Sequence, residues 1–222
     1  MKNLHQDKTG IIFLFLTILL FIGTLWRLFS LPWSNWIWLT GFLITFFIRA
    51  PHAKRNQENT NSTSRHDGSE KLLLIGMFLS MSVLPLLHLA TNCFYFANYN
   101  LPEWATYLGI VLQILYLYLF WRSHYDLGKN WSPGLEIRNG HTLVTNGIYS
   151  KIRHPMYSSI WLGVISQSLL IQNWIGGVSV ILAFAFMYFL RVPKEEEMMK
   201  TEFGSEYEEY RNRTGKIWPK FG

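Results

Sequence analysis

The chain has 222 residues, of which 50% are apolar, 17% aromatic and only 15% charged, with a formal charge of +6. Soluble domains carry about 25% charged residues, so this composition excludes an ordinary water-soluble core and points to lipid as part of the solvent. Cys93 is the single cysteine and the seven histidines form no HxxxH or HExxH pair, which gives no support to a disulfide, a metal site or, in the absence of a basic stripe, a nucleic-acid partner.

Six hydrophobic segments are predicted in chain order: 10–29, 33–48, 72–90, 104–121, 156–172 and 174–190. A helix needs roughly 20 residues, and at least about 17, to cross the hydrocarbon core, so the second, fifth and sixth are marginal and the others comfortable. Lys2 and Lys8 precede the first segment, but no small-x-small cleavage site follows, so a retained helix is expected in place of a signal peptide. The links around 30–34, 91–103 and 172–173 hold no Lys or Arg, whereas 49–71 and 122–155 hold five each and the stretch from Arg191 onward holds seven. This alternation predicts an all-α, polytopic membrane protein of about six transmembrane helices, with both termini cytoplasmic.

Two parts are expected. Residues 1–100 supply N-terminal helices and a polar cytoplasmic linker over 49–71, flexible from 55 to 70. Residues 101–222 supply helix 104–121, a cytoplasmic loop 122–155, an uncharged hairpin 156–190 and a helical tail 191–222. From Met156 to Leu190 no residue is charged, and Asn173 with Gly176-Gly177 marks the midpoint. Two arms of roughly 25 Å that cross and return bring residue 155 back beside residue 191.

That return joins "GIYSKIRHPMY" (147–157) to "RVPKEEEMM" (191–199). Read plainly, His154 caps a helix whose first turn holds Pro155, and Pro193 opens a last helix with Glu195, Glu196 and Glu197 near its positive end. Glu195 beside Arg191 reads equally as an ion pair. Read together, Tyr149, His154, Tyr157, Arg191 and Glu195 converge at one membrane boundary, where charges held on neighbouring helix ends are candidates for function. The stripe Phe203, Tyr207 and Tyr210 predicts an amphipathic helix over the loop or on the membrane, with direct contact to a ligand as the alternative and a lid as a further role. Trp218 and Pro219 are expected to anchor the end at the interface.

"HTLVTNGIYSKIRHPMY", the hairpin, "RVPKEEEMM" and "FGSEYEEYRNRTGKIWP", preceded by "YDLGKNWS", resemble the isoprenylcysteine carboxyl methyltransferase (ICMT) family and the wider group that includes phospholipid methyltransferases. The resemblance runs from about 104 to 219. It implies transfer of a methyl group from S-adenosyl-L-methionine to a lipophilic, prenylcysteine-like acceptor, with the site on the cytoplasmic side and membrane lipids as partners. It implies that His141, Thr142, Leu143, Val144, Tyr149, His154, Pro155, Met156, Tyr157 and Glu195 hold the cofactor, and that Arg191 orients the acceptor carboxylate. The family's glutamine ahead of the HTLV-like run has no counterpart, because Gly134 or a neighbour stands there. No metal is implied. The other readings are a phospholipid amine N-methyltransferase, an NADPH-dependent membrane reductase with a similar RHPxY segment, and a non-catalytic scaffold or transporter, for which His88 with Pro85 is the one intramembrane hint.

Overall fold

The computed structural model describes residues 3–58, 68–131 and 142–220. The described chain is helical: α1 (Asn3–Trp26), α2 (Trp33–Glu58), α3 (Gly68–Phe78), α4 (Leu84–Thr91), α5 (Glu103–Leu127), α6 (Pro155–Leu170) and α7 (Ser179–Arg213). The only sheet-like pairings among the described residues are the isolated bridges Asn98–Asn173 and Ile152–Gly215. Every predicted hydrophobic segment lies on a helix, as a chain in hydrocarbon requires to satisfy its own backbone.

Among the described residues three helical stretches are long and apolar enough to cross a bilayer: Glu70–Thr91, Glu103–Leu127 and Trp174–Arg213. The outward faces agree with such surroundings. Leu182, Phe186 and Phe189 on α7 are 64–68% exposed, as are Phe29 and Trp26 near the end of α1, at 94% and 90%. So much exposed aromatic and aliphatic surface suits lipid, not water.

Three boundaries differ from the sequence reading. The linker 49–71 is shorter than expected, because α2 runs through Pro51 to Glu58 and α3 begins at Gly68; residues 59–67 lie outside the described residues. The helix expected over 104–121 extends to Leu127, which carries His124 and Asp126 out of the supposed loop and onto its last turns. Pro193 does not open a new helix but sits inside α7, whose break comes at Gly204 (φ 53°). Glu195, Glu196 and Glu197 are therefore mid-helix, not at a positive end.

Pro85 explains a local feature of the third rod. α3 joins α4 through a π-turn, Leu79–Val83. A proline removes one ladder hydrogen bond and crowds the preceding turn, and a widened turn absorbs both.

The hairpin closes as predicted. Asn173 is fully buried, and its Oδ1 accepts from the backbone N–H groups of Ile175 (3.0 Å) and Gly176 (2.8 Å). Its Nδ2 donates to Phe94 O and Asn98 Oδ1, both at 2.7 Å, which ties the turn to the 94–98 link. Gly177 is required here, since a Cβ would meet Ile171 O at 1.9 Å. Gln167, 2% exposed, holds the surrounding helices together: it accepts from Trp38 Nε1 and donates to Ser80 O and Gly176 O. Polar side chains serve this purpose where apolar packing gains nothing over lipid. Two apolar clusters fill the rest, one around Trp38, Leu86 and Leu170, the other around Val164, Phe184 and Val192.

Candidate active site

At the end of the bundle opposite the Asn173 turn, four pieces of chain meet. The last turn of α5 provides the base. Asp126 pairs with Arg122 at 2.9 Å and accepts from the backbone N–H of Ile148 at 2.8 Å. Gly147 makes that approach available: it has φ +57°, and a Cβ there would lie 2.3 Å from Asp126 Oδ2. A second tie joins Asn130 to Thr142, with Nδ2 donating to Oγ1 at 3.2 Å.

The tail supplies a strap. Arg153 N–H donates to Gly215 O (2.9 Å), His154 N–H to Lys216 O (3.0 Å) and Ser158 Oγ to Ile217 O (2.6 Å). His154 is thereby fixed as the residue before the first turn of α6, with Pro155 at the start of the helix as predicted, but its ring makes no cap. The imidazole points to α7 instead. Its Nε2 lies 3.2 Å from Glu196 Oε1 and its Nδ1 lies 3.7 Å from Glu195 Oε1.

Glu195 accepts from the Tyr157 hydroxyl at 2.8 Å, and Glu196 accepts from Arg153 Nε at 2.7 Å. The Glu195–Arg191 ion pair, one of the two readings of the sequence, is not formed among the described residues. Arg191, one turn along α7 from Glu195, reaches across to Glu70 of α3 at 3.7 Å, while Glu195 is taken up by Tyr157 and His154. Tyr207 and Tyr210 are both 3% exposed, and the Tyr210 hydroxyl donates to Tyr149 O at 2.7 Å. The aromatic stripe thus packs over the loop, as its spacing predicts. Burial, with the Glu195 carboxylate nearby, raises the Tyr149 hydroxyl well above its usual pKa, so it stays neutral.

These groups enclose a cavity of about 790 Å³. Thr142, Leu143, Val144, Tyr149, His154, Pro155, Met156, Tyr157, Glu195 and Arg191 all line it, and His141 lies outside the described residues. The cavity continues from this polar end into an apolar arm between α2, α3 and α6, lined by Trp38, Phe42, Leu74, Phe78 and Ile160. Sequence reasoning missed Glu196, Glu70, His124, Trp131 and Arg49. The first two were hidden among other charges, and the rest lie in stretches read as loop or linker.

Residues 105–201 match the model of the isoprenylcysteine carboxyl methyltransferase (ICMT) family. A probable protein-S-isoprenylcysteine O-methyltransferase of Oryza sativa subsp. indica is 28% identical over 134 residues, covering 60% of this chain and 70% of that one. A cobalt-zinc-cadmium resistance protein of Cupriavidus metallidurans is 34% identical over 83 residues, 37% of this chain and 38% of its own. The solved structure of the eukaryotic intramembrane Ras methyltransferase ICMT superimposes with a TM-score of 0.52 at 17% identity, covering 98% of this chain and 86% of that one. Fold, family match and relatives define the class as an integral membrane methyltransferase whose described residues are mainly helical. Residues 105–201 are the part of the chain that resembles the ICMT family.

Proposed function

We propose that the chain transfers a methyl group from S-adenosylmethionine to the carboxylate of a lipophilic, isoprenylcysteine-like acceptor, at the cytoplasmic face of the membrane. The observation that carries this reading is one cavity lined both by His154, Glu195 and Arg191 and by the apolar side chains Trp38, Phe42, Leu74, Phe78 and Ile160.

The polar end suits the cofactor. Glu195 is the one carboxylate among the lining residues, and the Tyr207 hydroxyl is buried there without a hydrogen-bond partner among the described residues. A cationic ligand with further polar groups satisfies both. The backbone of Thr142 to Val144, with Tyr149, His154 and Tyr157, would hold it beside Glu195. When bound, S-adenosylmethionine supplies an already activated methyl group, so no metal or covalent enzyme intermediate is called for.

The chain's own task is placement. Tyr157 and His154 aim Glu195 at the polar end. Arg191 offers the acceptor carboxylate a planar, two-pronged donor while Glu70 steadies it from α3. A carboxylate is ionised at pH 7 and needs no base. Opposite charges disappear as the methyl moves, so a poorly hydrated cavity favours the transition state.

A second reading, an amine acceptor, is favoured by His124. Its Nδ1 lies 2.9 Å from Phe120 O, so that nitrogen carries the proton, and its buried Nε2 has no partner among the described residues. It faces the cavity as an available base. The lining cations Arg49 and Lys71, beside the ion-paired Arg153 and Arg191, support an anionic acceptor over an ammonium group.

Calorimetry of the detergent-purified chain with S-adenosylhomocysteine and with NADPH tests the cofactor, and binding of NADPH alone overturns the reading. Labelled-methyl transfer to a prenylcysteine compared with a lipid amine tests the acceptor. Arg191→Ala is expected to keep cofactor binding and lose turnover; unchanged turnover removes Arg191 from the mechanism.

A further inference from the structure

Three helices end their cavity-facing stripes in a cation. On α2, Trp38, Phe42 and Phe46 lead to Arg49; α3 reaches Lys71 beyond Leu74; α7 reaches Arg191 beyond Met187. All three cations line the cavity. Arg49 and Lys71 are exposed and Arg191 is half-buried, so these charges stand at an accessible edge of the cavity, where an anionic ligand can reach them.

Two of the lining guanidinium groups have their partners. Arg153 has Glu196 at 2.7 Å and Arg191 has Glu70 at 3.7 Å. Glu195 is engaged by Tyr157 and His154. Arg49 has no carboxylate within ion-pair distance among the described residues. Its guanidinium carbon lies 5.5 Å from the centre of the Trp131 ring, and Trp131 is 6% exposed. That ring is also packed against His124 at 5.1 Å, so the platform is fixed to the end of α5. A flat cation stacked on a fixed aromatic face keeps its in-plane N–H donors available. Arg49 and Arg191 are also near enough for their charges to interact. A shared anion would relieve that repulsion.

We propose that Arg49, from the N-terminal helices, forms with Arg191 a double guanidinium grip on the anionic group of the acceptor. The inference rests on the methyl-transfer reading of the same cavity and sharpens its substrate class. The site takes a lipophilic anion and discriminates against the corresponding neutral ester and against lipid ammonium groups. Methylation removes the charge that the grip recognises, so the product is held less tightly than the substrate. The first hundred residues then contribute to acceptor selection as well as to anchoring.

The test measures binding by calorimetry, with the full chain in detergent and saturating S-adenosylhomocysteine. The probes are a prenylcysteine free acid and its methyl ester, compared for wild type, Arg49→Gln and Arg49→Lys. Wild type is expected to favour the acid over the ester. Arg49→Gln is expected to weaken the acid by about tenfold or more, the scale of one lost charge-assisted hydrogen bond, and to leave the ester and S-adenosylhomocysteine unchanged. Arg49→Lys keeps the charge without the planar fork and should fall between the two; it also serves if the glutamine variant does not fold. If the acid keeps its full advantage in both variants, the Arg49 inference is overturned and the methyltransferase reading stands. If wild type binds S-adenosylhomocysteine but shows no preference for the acid, the carboxylate reading and the grip fall together.

Discussion

Replacing the three consecutive glutamates one at a time with glutamine separates holding the site together from binding at it. Glu196 accepts from Arg153 at 2.7 Å, lies 3.2 Å from His154 Nε2 and 3.5 Å from the half-exposed Lys216 ammonium group. Bonds to charged groups contribute about 1.5–3 kcal/mol each and neutral ones about 0.5–1.5, so losing the charge removes roughly 1–1.5 kcal/mol at each of the two short contacts. The Lys216 contact adds little, as exposed pairs do. Glu196→Gln should therefore cost about 2–3 kcal/mol, or about 5–10 °C in Tm for a chain of this size. Glu195→Gln loses the carboxylate that faces the cavity. It should weaken S-adenosylhomocysteine by about tenfold, with a smaller change in Tm from the weakened bond to Tyr157. Glu197 is exposed, so its change should stay within about 0.5 kcal/mol on stability and leave binding alone. Thermal unfolding in detergent and calorimetry on the same preparations read all three. Equal Tm losses for Glu196→Gln and Glu197→Gln would refute the assignment of Glu196 as the tie between loop, hairpin and tail.

Other outcomes follow from the same geometry. Asn173→Ala removes four hydrogen bonds at a fully buried turn and should cost about 3–4 kcal/mol, abolishing cofactor binding although it lies at the far end of the bundle; a wild-type Tm with normal binding refutes this. Gly177→Ala forces a Cβ onto a backbone oxygen and should sharply reduce the monodisperse fraction on size exclusion. Gly76→Ala, with nothing within 4 Å, should be neutral or stabilising by about 0.4–1 kcal/mol. Tyr149 has a raised hydroxyl pKa when folded, so the stability it contributes is present below its unfolded value and is lost as pH rises past about 10. Tyr149→Phe should flatten the fall of Tm between about pH 9 and 11, and an unchanged slope counts against a buried neutral phenol.

Much of this arrangement is legible along the chain. Uncharged runs separated by charged links give six helical segments, because hydrocarbon tolerates only internally bonded backbone. The run from Met156 to Leu190, broken by Asn173 and two glycines, announces a hairpin, and that alone predicts His154 near Glu195; the ring and carboxylate lie 3.7 Å apart. Pro193 misled because a proline reads as a helix start when the chain is taken locally. In place, α7 continues through it and breaks at Gly204.

What the sequence by itself determined, then, are features set by near neighbours and by the surrounding solvent: helix positions, the tight return, the stripe of tyrosines and the residues of a familiar motif. Only tertiary structure decided which glutamate faces which partner, because 100° of rotation per residue sends Glu195, Glu196 and Glu197 in different directions and only packing fixes what each direction meets. It also decided that Arg191 meets Glu70 and that Arg49 rests on Trp131, pairs more than eighty residues apart. A charge placed at a helix end by sequence has no partner until another helix arrives, and which helix arrives depends on the packing of the whole bundle.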